Sequence, residues 1–143
     1  MNLFVKQLIK LVLKYAFRVE VYGLANYTEK REGTLIISNH LSLLDGIFLH
    51  FFLPGDSVFL VNRLTAEIWY FKPFLFFVKL LKVDNGKPIA LKTAVSVLEK
   101  GDKIIVFPEG RVSTLGIPMK IYPGTAFIAD KANAAILPVA IEG

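Results

Sequence analysis

TLIISNHLSLLDG, Thr34 to Gly46, joins an unbroken apolar run to a polar turn and then to the start of a longer apolar run, GIFLHFFL. The first run is short and rich in β-branched residues, as expected of a strand buried on both faces. The second extends the pattern far enough for a helix over residues 43–53, which Pro54-Gly55 would end. A buried strand passing directly into a helix is the repeating unit of an α/β fold. The turn between them holds His40 and Asp45, and two readings compete there. In one, Ser42 and Asp45 form a capping box, with the Ser42 hydroxyl accepting from the amide three residues on. In the other, His40 and Asp45 are a pair. On one regular helix, side chains five residues apart point about 140° away from each other, so a pair requires His40 in the loop and Asp45 in the first helical turn.

Strand and helix signals continue to alternate along the chain. Short strands are expected at 19–23, 57–61, 81–83, 103–107 and 135–141. Helices are expected at 2–18, at 88–101 with Gly101 as the stop, at 124–134, and at 64–81, where Pro73 interrupts the pattern. The fold class that follows is α/β, with a mixed, largely parallel sheet covered by helices. All 143 residues belong to one domain, with no repeat or linker. The last apolar strand is followed almost at once by the end of the sequence, so further covering elements in a longer chain are expected.

Composition narrows the setting. Hydrophobic residues make up 54%, aromatic residues 13%, and mean hydropathy is +0.52. Charges punctuate every long apolar run, so no segment reads as a spanning helix, and a protein lying on a bilayer is expected. Seventeen basic residues against twelve acidic ones give a net charge of +5, which suits an anionic partner. The absence of cysteine excludes disulfides, thiol catalysis and cysteine-based metal sites. In the first helix Lys6, Lys10, Lys14 and Arg18 fall within an arc of about 120°, with apolar side chains around most of the rest. That pattern fits an interfacial helix with snorkelling lysines, or a core helix with a solvated basic edge.

A second candidate constellation is VFPEGR, Val106 to Arg111. Pro108 cannot donate to a ladder, so the chain leaves the sheet there, at the strand edge where open α/β folds bind ligands. Gly110 permits close backbone approach, and the Arg111 guanidinium offers a planar fork suited to phosphate. Taken alone, the segment also reads as an ordinary turn with a solvated arginine.

NHLSLLD, then FPEGR, then ILPVAI, in this order and spacing, resemble the motifs of the lysophospholipid and acylglycerol-phosphate acyltransferases over nearly the whole chain. The stretch MKIYPGTAFIADKANAAILPVAIEG is similar, more narrowly, to the acyltransferase domain of bifunctional 2-acylglycerophosphoethanolamine acyltransferase/acyl-carrier-protein synthetases, in which an AMP-binding ligase domain follows. The resemblance implies that His40 is the base that deprotonates a glycerol hydroxyl, that Asp45 orients it, and that Glu109, Gly110 and Arg111 bind the glycerophosphate. Pro138 would shape the site. The acceptor implied is a lysophospholipid, with 2-acylglycerophosphoethanolamine favoured and 1-acylglycerol-3-phosphate the alternative. The donor is a thioester of acyl carrier protein or coenzyme A, a co-substrate, and no metal or other cofactor is implied. The setting implied is the cytoplasmic face of a bacterial inner membrane.

The second family motif departs from the pattern. Arg63 stands as its basic residue, Pro73 lacks the expected glycine, and Lys120 precedes Gly124 by four residues where a closer spacing is usual. His50, among apolar neighbours, reads as a packed histidine, and the phenylalanine-rich stretch Phe71–Phe77 as core or lipid-facing surface. A competing function is a non-catalytic basic module that recruits a partner to membranes. Nucleic-acid binding is disfavoured, because the lysines alternate with aliphatic residues and not with stacking aromatics.

Overall fold

The computed structural model describes residues 3–27, 33–67, 69, 72–75, 78–84, 88–113, 117 and 119–143. Its elements are α1 (Leu3–Ala16), β1 (Thr34–Ser38), α2 (Asp45–Phe52), β2 (Val58–Asn62), α3 (Arg63–Ala66), α4 (Lys72–Leu75), β3 (Lys79–Val83), α5 (Pro88–Glu99), β4 (Lys103–Val106), α6 (Pro123–Lys131) and β5 (Ala135–Val139). The strands form one sheet in the order β3-β2-β4-β1-β5, and every neighbouring pair is parallel. The expected mixed sheet is thus parallel throughout its described strands.

β1 and β4 lie side by side in the middle, and their unbroken apolar sequences follow from burial on both faces. On one face Leu35, Ile104 and Val106 pack against Ala94 and Leu98 of α5 and Ile128 of α6. On the other, Ile36, Ile105 and Phe59 pack against Leu49 of α2. α5 stops where its sequence says it should. The Gly101 amide donates to the Leu98 carbonyl and the Asp102 amide to that of Val97, the paired closure that ends a helix at a glycine.

Two expectations are corrected. Residues 19–23 do not form a strand; Val19 is half-buried and the rest are exposed, Tyr22 to 83%. Alternating valines are not enough without a ladder partner, and the Tyr22 hydroxyl instead bonds the nearby Glu20 carboxylate. The single helix expected over 64–81 is two short helices followed by β3. Pro73 lies in the first turn of α4, where no intrahelical donor is needed. β3 then takes the edge of the sheet with Lys79 and Lys82 exposed, as an edge strand tolerates.

α1 differs from its expected orientation. Lys6, Ile9, Lys10 and Leu13 are half-buried and turned toward the body, with the Lys10 ammonium 5.4 Å above the centre of the Phe52 ring. Leu3, Phe4, Leu8, Leu11, Val12 and Tyr15 face outward, each 51–75% exposed. The lysines nearest the body therefore pack on α2, and the outward face of the helix is mostly apolar. Phe17, just past the helix, meets Phe48 edge to face at 5.3 Å. No helix among the described residues is long and apolar enough to cross a membrane.

His50 lies in this α1–α2 contact, with its Nε2 buried and without a hydrogen-bond partner. Burial holds its pKa below the ordinary value, the Lys6 charge lowers it further, and Asp56 acts in the opposite direction. Such an imidazole gains a proton more readily in the unfolded chain. Its contribution to stability is therefore intact above the unfolded pKa and is lost as pH falls below it toward the folded value. We expect His50→Leu to lose less stability than the wild type between about pH 7 and about pH 5. Urea midpoints at the two pH values check this, and parallel losses in both proteins contradict it. A second test concerns the entry to β1. Gly33 has φ +63°, and a Cβ there would lie 2.7 Å from the Leu98 carbonyl oxygen. Gly33→Ala is expected to cost at least ~1–2 kcal/mol of stability, read from the denaturation midpoint.

Candidate active site

All the strands being parallel, their C-terminal ends share one edge of the sheet. His40 lies two residues beyond β1, in the loop, and Asp45 is the first residue of α2. The two meet across that turn: His40 Nδ1 is 3.0 Å from Asp45 Oδ2. The same oxygen accepts from the Leu41 amide at 2.7 Å and the Ser42 amide at 2.8 Å. Three donors thus converge on one carboxylate oxygen that is almost wholly buried, the side chain being 2% exposed.

The simple capping box does not form as expected. Ser42 Oγ accepts from the Leu44 amide at 3.2 Å, and the Asp45 amide donates to the Ser42 carbonyl. What persists is the reciprocal half, in which the Asp45 carboxylate reaches back to the Ser42 amide. The helix start and the histidine pair do not exclude each other, because one oxygen serves both.

The His40 ring is fixed in plane as well as in direction. Phe107, at the end of β4, stacks on it with centroids 4.0 Å apart and planes 14° from parallel. Its backbone is also held, since the Ser113 amide donates to the His40 carbonyl at 2.7 Å. The neighbouring Asn39 spans to the chain beyond β5. Its Nδ2 donates to the Ile141 carbonyl and its Oδ1 accepts from the Ile141 amide, both at 2.8 Å. An ionised carboxylate only accepts, so the proton of the His40–Asp45 contact belongs to Nδ1 and the lone pair of Nε2 is left available. The pair has the form of a general base with its orienting group.

The FPEGR turn supplies the opposite side. Glu109 is 5% exposed, and its Oε2 is buried without a hydrogen-bond partner. Gly110 has φ +66°, a backbone conformation that favours glycine, and a Cβ there would meet the Tyr122 ring at 3.3 Å. Arg111 lies exposed at the surface. A cavity of about 390 Å³ opens here, lined by Asn39, Leu41, Glu109, Ile117, Ile141 and Glu142, with Gly143. Glu109 and the residues flanking His40 therefore border one space. Arg63 does not join them. It begins α3 at the end of β2, separated from β1 by β4, and its Nε donates to Asp84 Oδ1 at 2.8 Å. Lys120 is exposed, and Pro138 lies in β5, the edge strand opposite to β3, paired with Ile37 of β1. The Phe71–Phe77 stretch falls partly outside the described residues, so its expected role is left aside.

Sequence reasoning missed Asn39, Phe107 and Ser113. Asn39 carried a signal, being a side-chain amide at a strand end beside the histidine. Phe107 and Ser113 act through long-range contacts that only the assembled sheet creates.

Residues 18–142 match the family described as "Acyltransferase". The chain is 34% identical over 129 residues to a 1-acyl-sn-glycerol-3-phosphate acyltransferase of Pseudomonas aeruginosa, covering 86% of this chain and 49% of that one. It is 30% identical over 138 residues to an enzyme of the same name from Limnanthes alba, covering 90% and 47%. It spans about half the length of these curated relatives. The crystal structure of the 1-acyl-sn-glycerophosphate (LPA) acyltransferase PlsC from Thermotoga maritima superposes with a TM-score of 0.72 at 28% identity, covering 98% of this chain and 58% of that one. The family match takes in most of the chain and the parallel sheet is shared with a solved acyltransferase, so the chain belongs to the acyltransferase family.

Proposed function

We propose that this chain carries the catalytic pair of a glycerophospholipid O-acyltransferase, which moves a fatty acyl group from a thioester to the free glycerol hydroxyl of a lysophospholipid. The observation that carries this reading is the 3.0 Å contact between His40 Nδ1 and Asp45 Oδ2, which leaves Nε2 as the base. In the reaction, Nε2 takes the proton of the glycerol hydroxyl as its oxygen attacks the thioester carbonyl. The tetrahedral intermediate collapses, the C–S bond breaks, and the departing thiolate recovers the proton from the imidazolium. Asp45 holds the tautomer throughout and supports the charged ring. The substrate supplies the nucleophile, so no serine or cysteine of the protein is needed.

The relatives are named as 1-acyl-sn-glycerol-3-phosphate acyltransferases, which supports an acceptor of the lysophosphatidate type. A phosphate monoester suits the exposed fork of Arg111, and the buried Glu109 carboxylate can accept from a glycerol hydroxyl. The resemblance of residues 119–143 to the bifunctional enzymes is what keeps 2-acylglycerophosphoethanolamine, with acyl carrier protein as donor carrier, as a second reading. The outward apolar face of α1 and the net charge of +5 support action at an anionic membrane surface, and the resemblance to the bifunctional enzymes favours the cytoplasmic side of a bacterial inner membrane.

Acyl transfer from a labelled thioester to both acceptors tests the reading. His40→Ala is expected to lower kcat by at least ~10²–10⁴-fold with unchanged circular dichroism, and Asp45→Asn to lower it while also lowering stability by about 1–3 kcal/mol, since two backbone amides share that carboxylate. A fully active His40→Ala protein refutes the base. Arg111→Gln is expected to raise KM at least ~10-fold for the phosphate monoester and less for the ethanolamine ester.

A further inference from the structure

We infer that Phe107 is a positioning residue whose ring face stabilises the imidazolium that His40 becomes when it takes the substrate proton. This role rests on the acyl-transfer reading and deepens it, by adding a group that acts through His40. The register of the sheet brings the two rings together. Val106 of β4 pairs with Ile37 of β1, so Phe107, the next residue, leaves the sheet beside the strand end from which the His40 loop departs. Phe107 also packs against the cluster of Ile36, Leu49, Phe59 and Ile105, a task that a large aliphatic side chain could share.

Its geometry toward His40 is more particular. With centroids 4.0 Å apart and planes 14° from parallel, the rings lie face to face with little offset. Neutral rings prefer an edge contact or an offset, with centroids about 4.5–7 Å apart, because their faces repel. The other close ring pairs among the described residues follow that preference. Phe17 meets Phe48 at 75°, Phe48 meets Phe52 at 53°, and His50 meets Phe51 at 81°. Of the two histidines, His50 is thus met edge on, and His40, the one bonded to a carboxylate, lies flat on a ring. A cation reverses the preference, since the negative face of a benzene ring attracts it. The His40 side chain is 14% exposed, so water screens a charge there poorly and a fixed ring face gains weight. Asp45 meets the imidazolium in its plane at Nδ1, and Phe107 meets it from one face. The charge exists once the glycerol hydroxyl has given its proton to Nε2 and its oxygen bonds the thioester carbon, and it lapses when the departing thiolate takes that proton. The ring face therefore favours the transition state over the ground state.

Fluorination tests this with the bulk of the side chain nearly kept. Phe107 is replaced by mono-, di- and trifluorinated phenylalanine through a reassigned stop codon, each fluorine weakening the negative ring face. Transfer from a labelled thioester to lysophosphatidate is measured, with circular dichroism as the control for folding. The expected result is a stepwise fall of kcat with fluorine count, reaching about 10-fold for the trifluorinated ring, with KM unchanged for both substrates. Phe107→Leu, which can still pack on the cluster, is expected to lose at least as much. A kcat that stays flat across the series overturns the inference and leaves Phe107 a packing residue, as does an effect confined to KM. Proton NMR of the imidazoles through a pH titration, with His50→Leu to assign the signals, needs no turnover. Asp45 and Glu109 are unchanged throughout, so the His40 midpoint is expected to move down step by step with fluorine count. A midpoint that does not move overturns the inference. A moving midpoint in a protein that transfers to no acceptor leaves the ring-face contact standing and refutes the acyl-transfer reading instead.

Discussion

One carboxylate oxygen organises the site. Asp45 Oδ2 draws in the His40 ring and the amides of Leu41 and Ser42, and so shapes the turn from β1 into α2. Buried carboxylates are costly unless their lone pairs are filled, and here the donors that fill them are the ones that set the loop. The rest of the edge then follows. Phe107 stacks on a ring already aimed, Ser113 ties the next connection to the His40 carbonyl, and Asn39 ties the chain after β5 to the same loop. Groups beyond the ends of β1, β4 and β5 are in this way referenced to one position.

The sequence made the central architecture legible because the signals there are local. TLIIS and KIIV are apolar on both faces, as strands covered by helices on both sides must be. Residue 88, a proline, and Gly101 mark the ends of α5 through backbone chemistry that needs no tertiary context. Legibility failed where a partner decides the outcome. Val19 to Gly23 has strand composition but no ladder partner, and KLLKV was obscured by a helical period although it pairs along the whole of β2. The N-terminal helix was readable as a helix, but its rotation was not. Spacing fixes which residues share a face, whereas contact with α2 decides that Lys6 and Lys10 turn inward.

For the site, pairwise proximity was readable and support was not. His40 and Asp45 could be brought together by one short turn, and the alternative of a helix cap proved to be another use of the same oxygen. FPEGR marked a turn at the correct edge, but its residues diverge: Glu109 is enclosed and Arg111 faces outward. Arg63 shares the edge and is held by Asp84 two strands from β1, a separation set by strand order and invisible in sequence spacing.

The strand order also fixes when these groups can come together. β1 is made early in the chain, yet it pairs with β4 at Lys103–Val106 and with β5 at Ala135–Val139, while its nearest strand in sequence, β2, lies beyond β4. During synthesis the most deeply buried strand of the sheet must therefore wait, unpaired, for segments still to be translated. Such non-local parallel pairing folds slowly and leaves sticky edges exposed. His40 can be in place on a nascent chain and still be without Phe107, Ser113 and the Ile141 backbone, so the surroundings of its ring are acquired late, with closure of the sheet.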